Sequence, residues 1–262
     1  MLSAIHIARS FGGVQALHDV SLFLEPGNVA VCAGPNGAGK TTLLNILSGW
    51  DQPDQGSVYL EGKPIARLTP EIAHRLRIVR TFSTPRIFRN LSVFDNIYLA
   101  CAITHSERFI SSLLRRRYNR ELKEQVRLKT TSLLEELAIA DKVDTVAGNL
   151  SGGQQKLLDF ACALARNGKI LLLDEPVSGR LPSQLRSCIG EMIRQFADAG
   201  NSVLVVEHNR DFIRSIADRI LVLASRISRV AGETGGGFVL GEGRATEART
   251  WQLLEESYNV RA

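Results

Sequence analysis

Short runs of apolar residues recur along the chain, and several of them end in polar residues. Residues 28–33, 170–173 and 203–206 are almost continuously apolar, which is typical of parallel strands buried on both faces of a sheet. Residues 220–223 predict a further strand, and residues 78–79 predict a short one. Ligands of parallel α/β sheets bind beyond the carboxyl ends of the strands, so the residues that follow these runs are the first candidates for chemistry.

Outside these runs, the pattern divides the chain into regions of different periodicity. Apolar and polar residues alternate through residues 1–30 and 50–65, where turns with glycine and proline predict short strands and hairpins. Residues 91–147 follow a helical, strongly basic pattern. Residues 225–250 look loose and strand-like, and a short helical tail follows from Trp251. Because no linker or repeat interrupts the sequence, it predicts a single domain.

One loop between a predicted strand and a predicted helix fits the phosphate-binding pattern G-x-x-x-x-G-K-[ST]. It follows the strand at 28–33 and precedes helical spacing at 42–48, which is the context that the pattern requires. Its glycines let backbone N–H groups point at phosphate oxygens, and the positive end of the helix dipole adds to them. Lys40 supplies a point charge, and the hydroxyl of Thr41 suits Mg²⁺. The predicted nucleotide-binding residues of this loop are Gly34, Pro35, Asn36, Gly37, Ala38, Gly39, Lys40, Thr41 and Thr42.

Polar side chains at the ends of two other apolar runs are candidates for catalysis. Asp174 and Glu175 follow the run at 170–173, and carboxylates there are costly to bury unless a cation or a substrate uses them. We expect Asp174 to hold Mg²⁺ and Glu175 to polarise an attacking water. His208 follows the run at 203–206, and its place at a strand end favours catalysis over a structural role.

Two further features of the sequence suit contact with a nucleotide. Ser151 is a good N-cap, and Gly152 and Gly153, followed by Gln154, let an anion approach the first free N–H groups of a helix. Phe11 precedes a Gly-Gly turn. An aromatic ring there would either stack on a nucleotide base or pack in the core, and the residue alone does not decide between the two.

The composition is that of a globular protein and leaves the binding partner open. The chain has 262 residues, a hydrophobic fraction of 44% and a net charge of +5, which permits contact with nucleic acid or an anionic membrane surface. No apolar run approaches the ~18 residues needed to span a bilayer, and the N-terminus lacks the apolar region of a signal peptide. The four cysteines have no metal-ligand spacing, so reduced, buried thiols of a cytosolic protein are expected.

Positive charge is concentrated in the helical region at 91–147. A solvated helix face is the favoured interpretation of such a run. Lipid headgroups beside a membrane partner, or nucleic-acid phosphates, are the alternatives. The basic residues are Arg108, Arg115, Arg116, Arg117, Arg120, Lys123, Arg127 and Lys129.

Together these pieces resemble the ATP-binding subunit of ABC transporters over nearly the whole chain. Residues 34–41 match the Walker A loop, residues 150–154 the family signature and residues 170–174 the Walker B strand. Glu175 matches the catalytic base, and His208 matches the switch histidine. The order and spacing of these motifs are specific to that family.

The resemblance implies an α/β fold: a P-loop NTPase with a RecA-like parallel sheet core, an N-terminal antiparallel β subdomain and a helical subdomain. It implies a single ABC ATPase domain over residues 1–262. Residues 1–90 and 148–230 would form the nucleotide-binding core with the β subdomain. Residues 91–147 would form the helical subdomain, and residues 231–262 a C-terminal tail.

The same resemblance implies the cofactors, ATP and Mg²⁺, and the partners. Phe11 corresponds to the family's A-loop aromatic, and Thr41 and Asp174 to its metal ligands. Two cassettes would clamp two ATP molecules, each between the phosphate loop of one and residues 151–154 of the other. The expected partners are a second ABC ATPase subunit, identical or different, integral membrane permease subunits and, indirectly, a solute-binding protein. No nucleic acid is expected, and the protein would act peripherally at the cytoplasmic face of the inner or plasma membrane.

Local motifs narrow the resemblance within the family. Residues 10–17, 80–82 and 206–212 and the long helical insert are similar to the ATPase subunits of branched-chain amino acid and urea or amide importers. Residues 86–96 are also similar to the lipopolysaccharide-export ATPase, which is one alternative. A slow or regulatory ATP-binding partner in a heterodimeric transporter is another. An ABC protein acting on DNA or the ribosome is disfavoured, because such proteins usually carry two ATPase units or a long coiled-coil insertion.

Two positions depart from the family pattern. Ser83 stands where the Q-loop glutamine is usual, and no nearby glutamine replaces it. A serine is too short to reach both the metal and the attacking water, although a water could bridge the gap. Leu181 stands where the D-loop has Asp or Asn, at the contact with the partner subunit. Intact Glu175 and His208 argue against an inactive ATPase, and a slowed or asymmetric one is the alternative.

Overall fold

A computed structural model of the chain describes residues 1–104, 116–179, 181–225 and 237–259. Two of the basic residues singled out above, Arg108 and Arg115, lie outside the described residues. The same holds for the side chains of Arg116, Arg117, Arg120, Lys123 and Lys129. Of that set, Arg127 is described: it is exposed, and its guanidinium carbon lies 5.8 Å from the ring centre of Phe94.

Ten strands of the described chain form one sheet, in the order β5-β4-β1-β2-β10-β9-β3-β8-β7-β6. The strands are β1 (Leu2–Phe11), β2 (Val14–Leu24), β3 (Val29–Ala33), β4 (Gln55–Leu60), β5 (Lys63–Pro64), β6 (Ile78–Arg80), β7 (Ile170–Asp174), β8 (Ser202–Val206), β9 (Arg219–Ser225) and β10 (Gly237–Arg244). The strands predicted from the five apolar runs are confirmed as β3, β6, β7, β8 and β9.

The core of the sheet is parallel. Strands β9, β3, β8, β7 and β6 run in one direction, and Val31 of β3 pairs with Val205 on one side and Ile220 on the other. Every residue of β3, β7 and β8 is buried, which explains why these strands are continuously apolar in sequence. Since the carboxyl ends of parallel strands share one edge, the residues that follow β3, β7 and β8 gather there.

The N-terminal part of the sheet is antiparallel. Strand β1 pairs antiparallel with both β2 and β4, and β4 pairs antiparallel with the short β5. Strand β10 lies between β2 and β9, so it connects this antiparallel part to the parallel core. The α/β fold predicted from the sequence, with a parallel core and an N-terminal antiparallel part, is confirmed.

Eight α-helices are assigned in the described residues. They are α1 (Lys40–Leu47), α2 (Pro70–Arg75), α3 (Val93–Thr104), α4 (Arg116–Glu136), α5 (Gly152–Ala165), α6 (Ser183–Asp198), α7 (Arg210–Ile216) and α8 (Ala248–Asn259). The tail expected from Trp251 is thus helix α8, which begins earlier than predicted. Within the described ranges, none of the helices combines the length and the apolar composition of a membrane span.

The chain forms two compact units. The first comprises Met1–Arg80, Lys169–Glu175 and Gly190–Ala262, and it holds all ten strands. The second comprises Thr81–Gly168 and Pro176–Ile189, and it holds α3, α4 and α5. The expected helical subdomain at 91–147 and C-terminal tail at 231–262 stay predictions.

Helix α1 is anchored in the hydrophobic core of the sheet unit. Leu43, Leu44 and Leu47 are fully buried in one cluster with Cys32 and Leu172 of the neighbouring strands. Burying each leucine stabilises the fold by about 1.5–3 kcal/mol, so the first turn of α1 is held firmly under the end of β3. Burial also raises the pKa of the Cys32 thiol to about 12, as expected for an unreactive core cysteine.

Candidate active site

The loop between β3 and α1 is built on glycines that no other residue could replace. Gly34 has φ +148°, and a Cβ there would lie 2.0 Å from the carbonyl oxygen of Leu223. Gly39, the N-cap of α1, has φ +83°, and a Cβ there would lie 2.4 Å from the carbonyl oxygen of Ala16. The chain therefore turns tightly against β2 and β9 and presents the start of α1 beyond the end of β3.

Lys40 places its ammonium group over this loop. Its Nζ donates hydrogen bonds to the carbonyl oxygens of Gly34 at 2.8 Å and Pro35 at 2.7 Å, and the residue is only 6% exposed. Of the predicted loop residues, Asn36, Gly37 and Thr41 are exposed. The hydroxyl residues at 41 and 42 lie on the first turn of α1. The nine predicted loop residues are consecutive in the chain, and they include the buried cation Lys40 and the N-terminus of helix α1.

Asp174 ends strand β7 as a buried carboxylate. The residue is 3% exposed, and its Oδ2 lies 3.6 Å from Nη2 of Arg80 at the end of neighbouring β6. Burial raises the pKa of Asp174, and the positive charges of Arg80 and Lys40 oppose that rise. A carboxylate in this position gains from a cation, because its own burial disfavours the charged form.

The sequence reasoning missed Arg80. Its Nη1 donates to Oδ1 of Asn45 at 2.7 Å and to Oγ of Ser48 at 2.9 Å, both near the end of α1. The guanidinium thus links the helix of the phosphate loop to Asp174. Arg80 follows the short apolar run at 78–79, just as Asp174 follows the run at 170–173. This position at a strand end could have identified it from the sequence.

The donor set of this site suits Mg²⁺. Asp174 supplies a carboxylate and Thr41 a hydroxyl, both hard oxygen donors, and Mg²⁺ is usually held by one or two protein oxygens together with phosphates and waters. In the described part of the chain, no group of three or more His, Cys, Asp or Glu side chains could hold a metal alone. The residues therefore fit a metal that is shared with a phosphate ligand.

Glu175 follows Asp174 in a strained backbone conformation. Its φ of +51° lies in the left-handed region, which is uncommon for glutamate, and its N–H donates to the carbonyl of Val206 at 2.9 Å. Its Oε1 lies 2.9 Å from Nε2 of His208. The structure therefore brings together the two residues that the sequence proposed for catalysis.

Glu207 fixes the backbone that carries His208. It is only 2% exposed, and its carboxylate accepts hydrogen bonds from the N–H groups of His208 at 2.7 Å and Asn209 at 3.0 Å. Asn209 in turn caps helix α7 by accepting from the N–H of Phe212 at 2.9 Å. Hydrogen bonds of the three consecutive residues Glu207, His208 and Asn209 thus fix the turn after β8.

Phe11 ends strand β1 with an exposed ring. The residue is 44% exposed, and the guanidinium carbon of Arg9 lies 4.6 Å from its ring centre. Arg9 is itself paired with Asp51 at 2.9 Å. Phe11 is therefore not a core residue. An exposed aromatic ring beside a fixed cation is compatible with stacking on a nucleotide base.

Ser151 is the N-cap of helix α5 in the helical unit, as predicted. Its Oγ accepts from the N–H of Gln154 at 3.3 Å, and Oε1 of Gln154 accepts from the N–H of Ser151 at 3.0 Å. This reciprocal capping box fixes the start of the helix. Ser151, Gly152 and Gly153 are exposed, so a ligand can approach the helix N-terminus.

The first position that departs from the family pattern, Ser83, lies exposed in a loop of the helical unit. The flanking residues are fixed: the guanidinium carbon of Arg86 lies 3.6 Å from the ring centre of Phe82, and its N–H donates to Asp159 at 3.4 Å. Burial raises the pKa of Asp159 to about 6.

The second such position, Leu181, is a packing residue. It is 8% exposed, and its Cδ2 lies 3.5 Å from where a Cβ on Gly153 would be. Close by in the chain, Ser178 accepts a hydrogen bond from Nζ of Lys156 on helix α5. The apolar residue at the D-loop position therefore packs beside the start of α5 within its own unit.

Comparison with known proteins points to one family. A family model described as "ABC transporter" matches residues 17–178. The chain is 36% identical to a probable branched-chain amino acid transport ATP-binding protein LivG of Archaeoglobus fulgidus, over 86% of this chain and 86% of that protein. It is 31% identical to the high-affinity branched-chain amino acid transport ATP-binding protein LivG of Escherichia coli K12, over 85% of this chain and 88% of that protein.

Solved structures agree with the sequence comparisons. The chain superposes on a nucleotide-free ATP-binding cassette from an ABC transporter with a TM-score of 0.76 at 30% identity, covering 100% of this chain and 98% of the other. It superposes on a cassette in its ADP conformation with a TM-score of 0.73 at 30% identity, covering 97% of each chain.

Proposed function

This chain belongs to the ABC transporter family as an ATP-binding cassette, and we propose that it powers the import of branched-chain amino acids through separate membrane permease subunits. The cassette binds and hydrolyses ATP, and membership of the family implies permease partners. The observation that carries the choice of solute is the similarity, over most of the chain, to relatives named for branched-chain amino acid transport. This similarity favours the importer over the lipopolysaccharide-export alternative.

The phosphate loop supplies the binding energy for the nucleotide in this proposal. Backbone N–H groups of residues 34–39 and the N-terminus of α1 would receive the β- and γ-phosphates. Lys40 would exchange its two carbonyl acceptors, Gly34 and Pro35, for phosphate oxygens, which makes a stronger, charge-assisted contact. The exposed ring of Phe11 would receive the base.

Thr41 and Asp174 would hold Mg²⁺ together with phosphate oxygens. The bound ion supplies positive charge that stabilises the phosphoryl group in the transition state. Arg80 keeps the Asp174 carboxylate in place and opposes the rise of its pKa, so that the site is ready for a cation. A cation removes the cost that burial imposes on this carboxylate.

Glu175 is the residue that would orient and polarise the attacking water. Its carboxylate is held by His208 at 2.9 Å, and its strained backbone fixes the direction of the side chain. His208 carries an N–H on Nε2 that can donate to Glu175 or to a phosphate oxygen. Glu175 and His208 would in this way hold the water in position to attack the γ-phosphate.

A second cassette would complete the site. The exposed N-terminus of α5 at Ser151, Gly152 and Gly153 would meet the γ-phosphate of the partner cassette, with Gln154 holding the cap. Hydrolysis would then remove the contact that joins the two cassettes. The partner is a second ABC ATPase subunit, and the assembly would sit at the cytoplasmic face of the membrane beside its permeases, supplied by a solute-binding protein.

The test is reconstitution with the natural permeases. Tagged protein is pulled down from membranes, the co-purified subunits are identified, and the complex is placed in lipid vesicles with its solute-binding protein. We expect uptake of leucine, isoleucine or valine that requires ATP and is lost in Glu175→Gln. Uptake of urea or an amide instead would contradict the proposed solute, and co-purification with lipopolysaccharide-export subunits would contradict the importer. Full uptake with little ATP turnover by this chain would support the regulatory alternative.

A further inference from the structure

The C-terminal helix α8 brings one side chain to the candidate active site. The hydroxyl oxygen of Tyr258 lies 3.4 Å from Nδ1 of His208 and 3.3 Å from the carbonyl oxygen of Gly34. Burial raises the pKa of Tyr258, so the hydroxyl keeps its proton and can donate it. The hydroxyl thus lies between the switch histidine and the first residue of the phosphate loop, although Tyr258 lies outside the segment that the family model matches.

The partners of His208 determine where its ring carries the proton. Nε2 lies 2.9 Å from Oε1 of Glu175, and because a carboxylate oxygen only accepts, Nε2 carries the N–H. In the neutral ring Nδ1 is then an acceptor, and the hydroxyl of Tyr258 is a donor within reach. The same hydroxyl also donates to the carbonyl of Gly34 at 3.3 Å, which can accept a second hydrogen bond from Lys40 because a carbonyl oxygen has two lone pairs. The hydroxyl is therefore within hydrogen-bond distance of two acceptors, and its proton is shared between the carbonyl of Gly34 and Nδ1 of His208.

We propose that Tyr258 is a positioning residue for ATP hydrolysis, which holds the Nε2–H tautomer and the orientation of His208 from the C-terminal helix. With Nδ1 satisfied by the tyrosine, the Nε2–H faces Glu175 and the place where a γ-phosphate would arrive. Without the hydroxyl, the ring is free to turn or to move its proton to Nδ1, and the Nε2 donor is lost. The inference rests on the role proposed for His208 above.

Side-chain contacts fix helix α8 in the position that brings Tyr258 to His208. Glu255 pairs with Arg210 at 3.0 Å, and the guanidinium carbon of Arg214 lies 4.6 Å from the ring centre of Trp251. Both arginines lie on α7, which begins two residues after His208. Between these contacts, Leu254 is 1% exposed, and its burial contributes more than the solvated ion pair. Helix α8, which carries the tyrosine, is therefore held beside α7, which begins two residues after the histidine.

The decisive variant is Tyr258→Phe, which removes the hydroxyl and keeps the ring. In the full chain with saturating Mg²⁺ and ATP, we expect kcat to fall about 3–10-fold, as for the loss of one net hydrogen bond. The KM for ATP should stay at the wild-type value, because the ring does not belong to the phosphate loop. The matched control is Tyr59→Phe on strand β4, which makes the same chemical change and should leave kcat unchanged.

A spectroscopic measurement separates positioning from packing. Nitrogen-15 NMR of histidine-labelled protein reads the protonation of each ring nitrogen, and with five histidines in the chain the His208 signals are assigned by their loss in His208→Ala. We expect an unprotonated Nδ1 in the wild type and a mixture of tautomers in Tyr258→Phe. A protonated Nδ1 in the wild type would overturn the proposal even if the variant failed to fold. Unchanged tautomers in a folded variant would overturn it as well, whatever happens to kcat.

The same variants distinguish a failure of this inference from a failure of the proposed function. If His208→Ala hydrolyses ATP as fast as the wild type, the role of His208 itself is wrong. If His208→Ala is slow and Tyr258→Phe is as fast as the wild type, only the role of Tyr258 is wrong.

Discussion

The Nε2 atom of His208 and the Oε1 atom of Glu175 lie 2.9 Å apart, although the two residues are 33 positions apart in sequence. A second hydrogen bond, from the N–H of Glu175 to the carbonyl of Val206 at 2.9 Å, joins the same two strand ends through the backbone. The candidate base and the candidate switch residue are therefore held as a pair by the register of β7 and β8. Any change that shifts one strand against the other would separate them.

Replacing Glu175 by glutamine should leave ATP bound but slow its hydrolysis ~10²–10⁴-fold, the usual contribution of a positioned general base. The variant should also accumulate as an ATP-dependent dimer on gel filtration, because the bridging γ-phosphate is kept. Glu191→Gln on the exposed face of α6 is the control and should behave as the wild type. Wild-type turnover in Glu175→Gln would show that another group activates the water.

Replacing Lys40 by alanine should abolish tight ATP binding, because it removes the side-chain cation of the phosphate loop. Titration calorimetry with ATP measures this directly. Lys63→Ala, on the exposed strand β5, removes the same charge far along the sheet and should leave the affinity unchanged. If Lys40→Ala bound ATP as tightly as the wild type, the assignment of the phosphate loop would be wrong.

Replacing Arg80 by methionine should lower the free energy of unfolding by about 3–5 kcal/mol at neutral pH, because it leaves the buried Asp174 carboxylate without its cation. The pKa of Asp174 should rise further, since Arg80 is the main group that lowers it. The loss should therefore shrink at acidic pH, where Asp174 is protonated. Urea unfolding at two pH values measures both effects, with the exposed Arg67→Met as control. A loss that does not depend on pH would refute the pairing.

Asp159 should make the stability of the protein fall as the pH rises. Its pKa is raised to about 6 by burial in the folded chain, against about 4 when unfolded, so between these pH values only the folded state binds the proton. The free energy of unfolding therefore decreases as the pH rises, and the contribution of Asp159 is fully lost above its pKa in the folded state. Relative to Asp159→Asn, the wild type should lose on the order of 2–3 kcal/mol between pH 4 and pH 7 in urea unfolding. Parallel pH profiles for the two proteins would contradict this.

Restoring glutamine at position 83 should raise ATP turnover, or its stimulation by the permeases. If position 83 serves as the Q-loop of the family, a short hydroxyl would leave the metal and the attacking water under-positioned, and catalysis is sensitive to such slack. Ser83 is exposed, so the longer side chain has room. Turnover of Ser83→Gln is compared with the wild type, with and without the membrane subunits, and Thr84→Gln next to it is the control. Equal rates in both conditions would mean that Ser83 is a tolerated replacement.

Most of the sheet could be predicted, because buried parallel strands impose a local signature on their own sequence. The runs at 28–33, 170–173 and 203–206 are apolar throughout since both faces of β3, β7 and β8 are covered. The rule that ligands gather at the carboxyl ends then led to Asp174 and His208. These inferences needed no information about which strands are neighbours.

The residues that were missed depend on contacts between distant segments. Tyr258 is 50 positions from His208 and 224 from Gly34, and a single tyrosine on a helix with apolar spacing does not stand out from a packing residue. Arg80 gains its role only because β6 lies beside β7. Leu181 was interpreted from the family pattern alone, whereas its burial beside Gly153 gives it a packing role.

The place of β10 in the sheet has a consequence for the biosynthesis of this protein. Residues 237–244 lie between β2 and β9, so a growing chain on the ribosome holds two sheet pieces with open edges until these residues emerge. We predict that nascent chains stalled before residue 237 are cleaved readily by protease within β1 and β2, whereas released chains resist. Equal protection of both would contradict this. The final assembly of the sheet therefore waits for residues 237–244, and until they emerge the nascent chain depends on whatever keeps exposed strand edges from pairing with other chains.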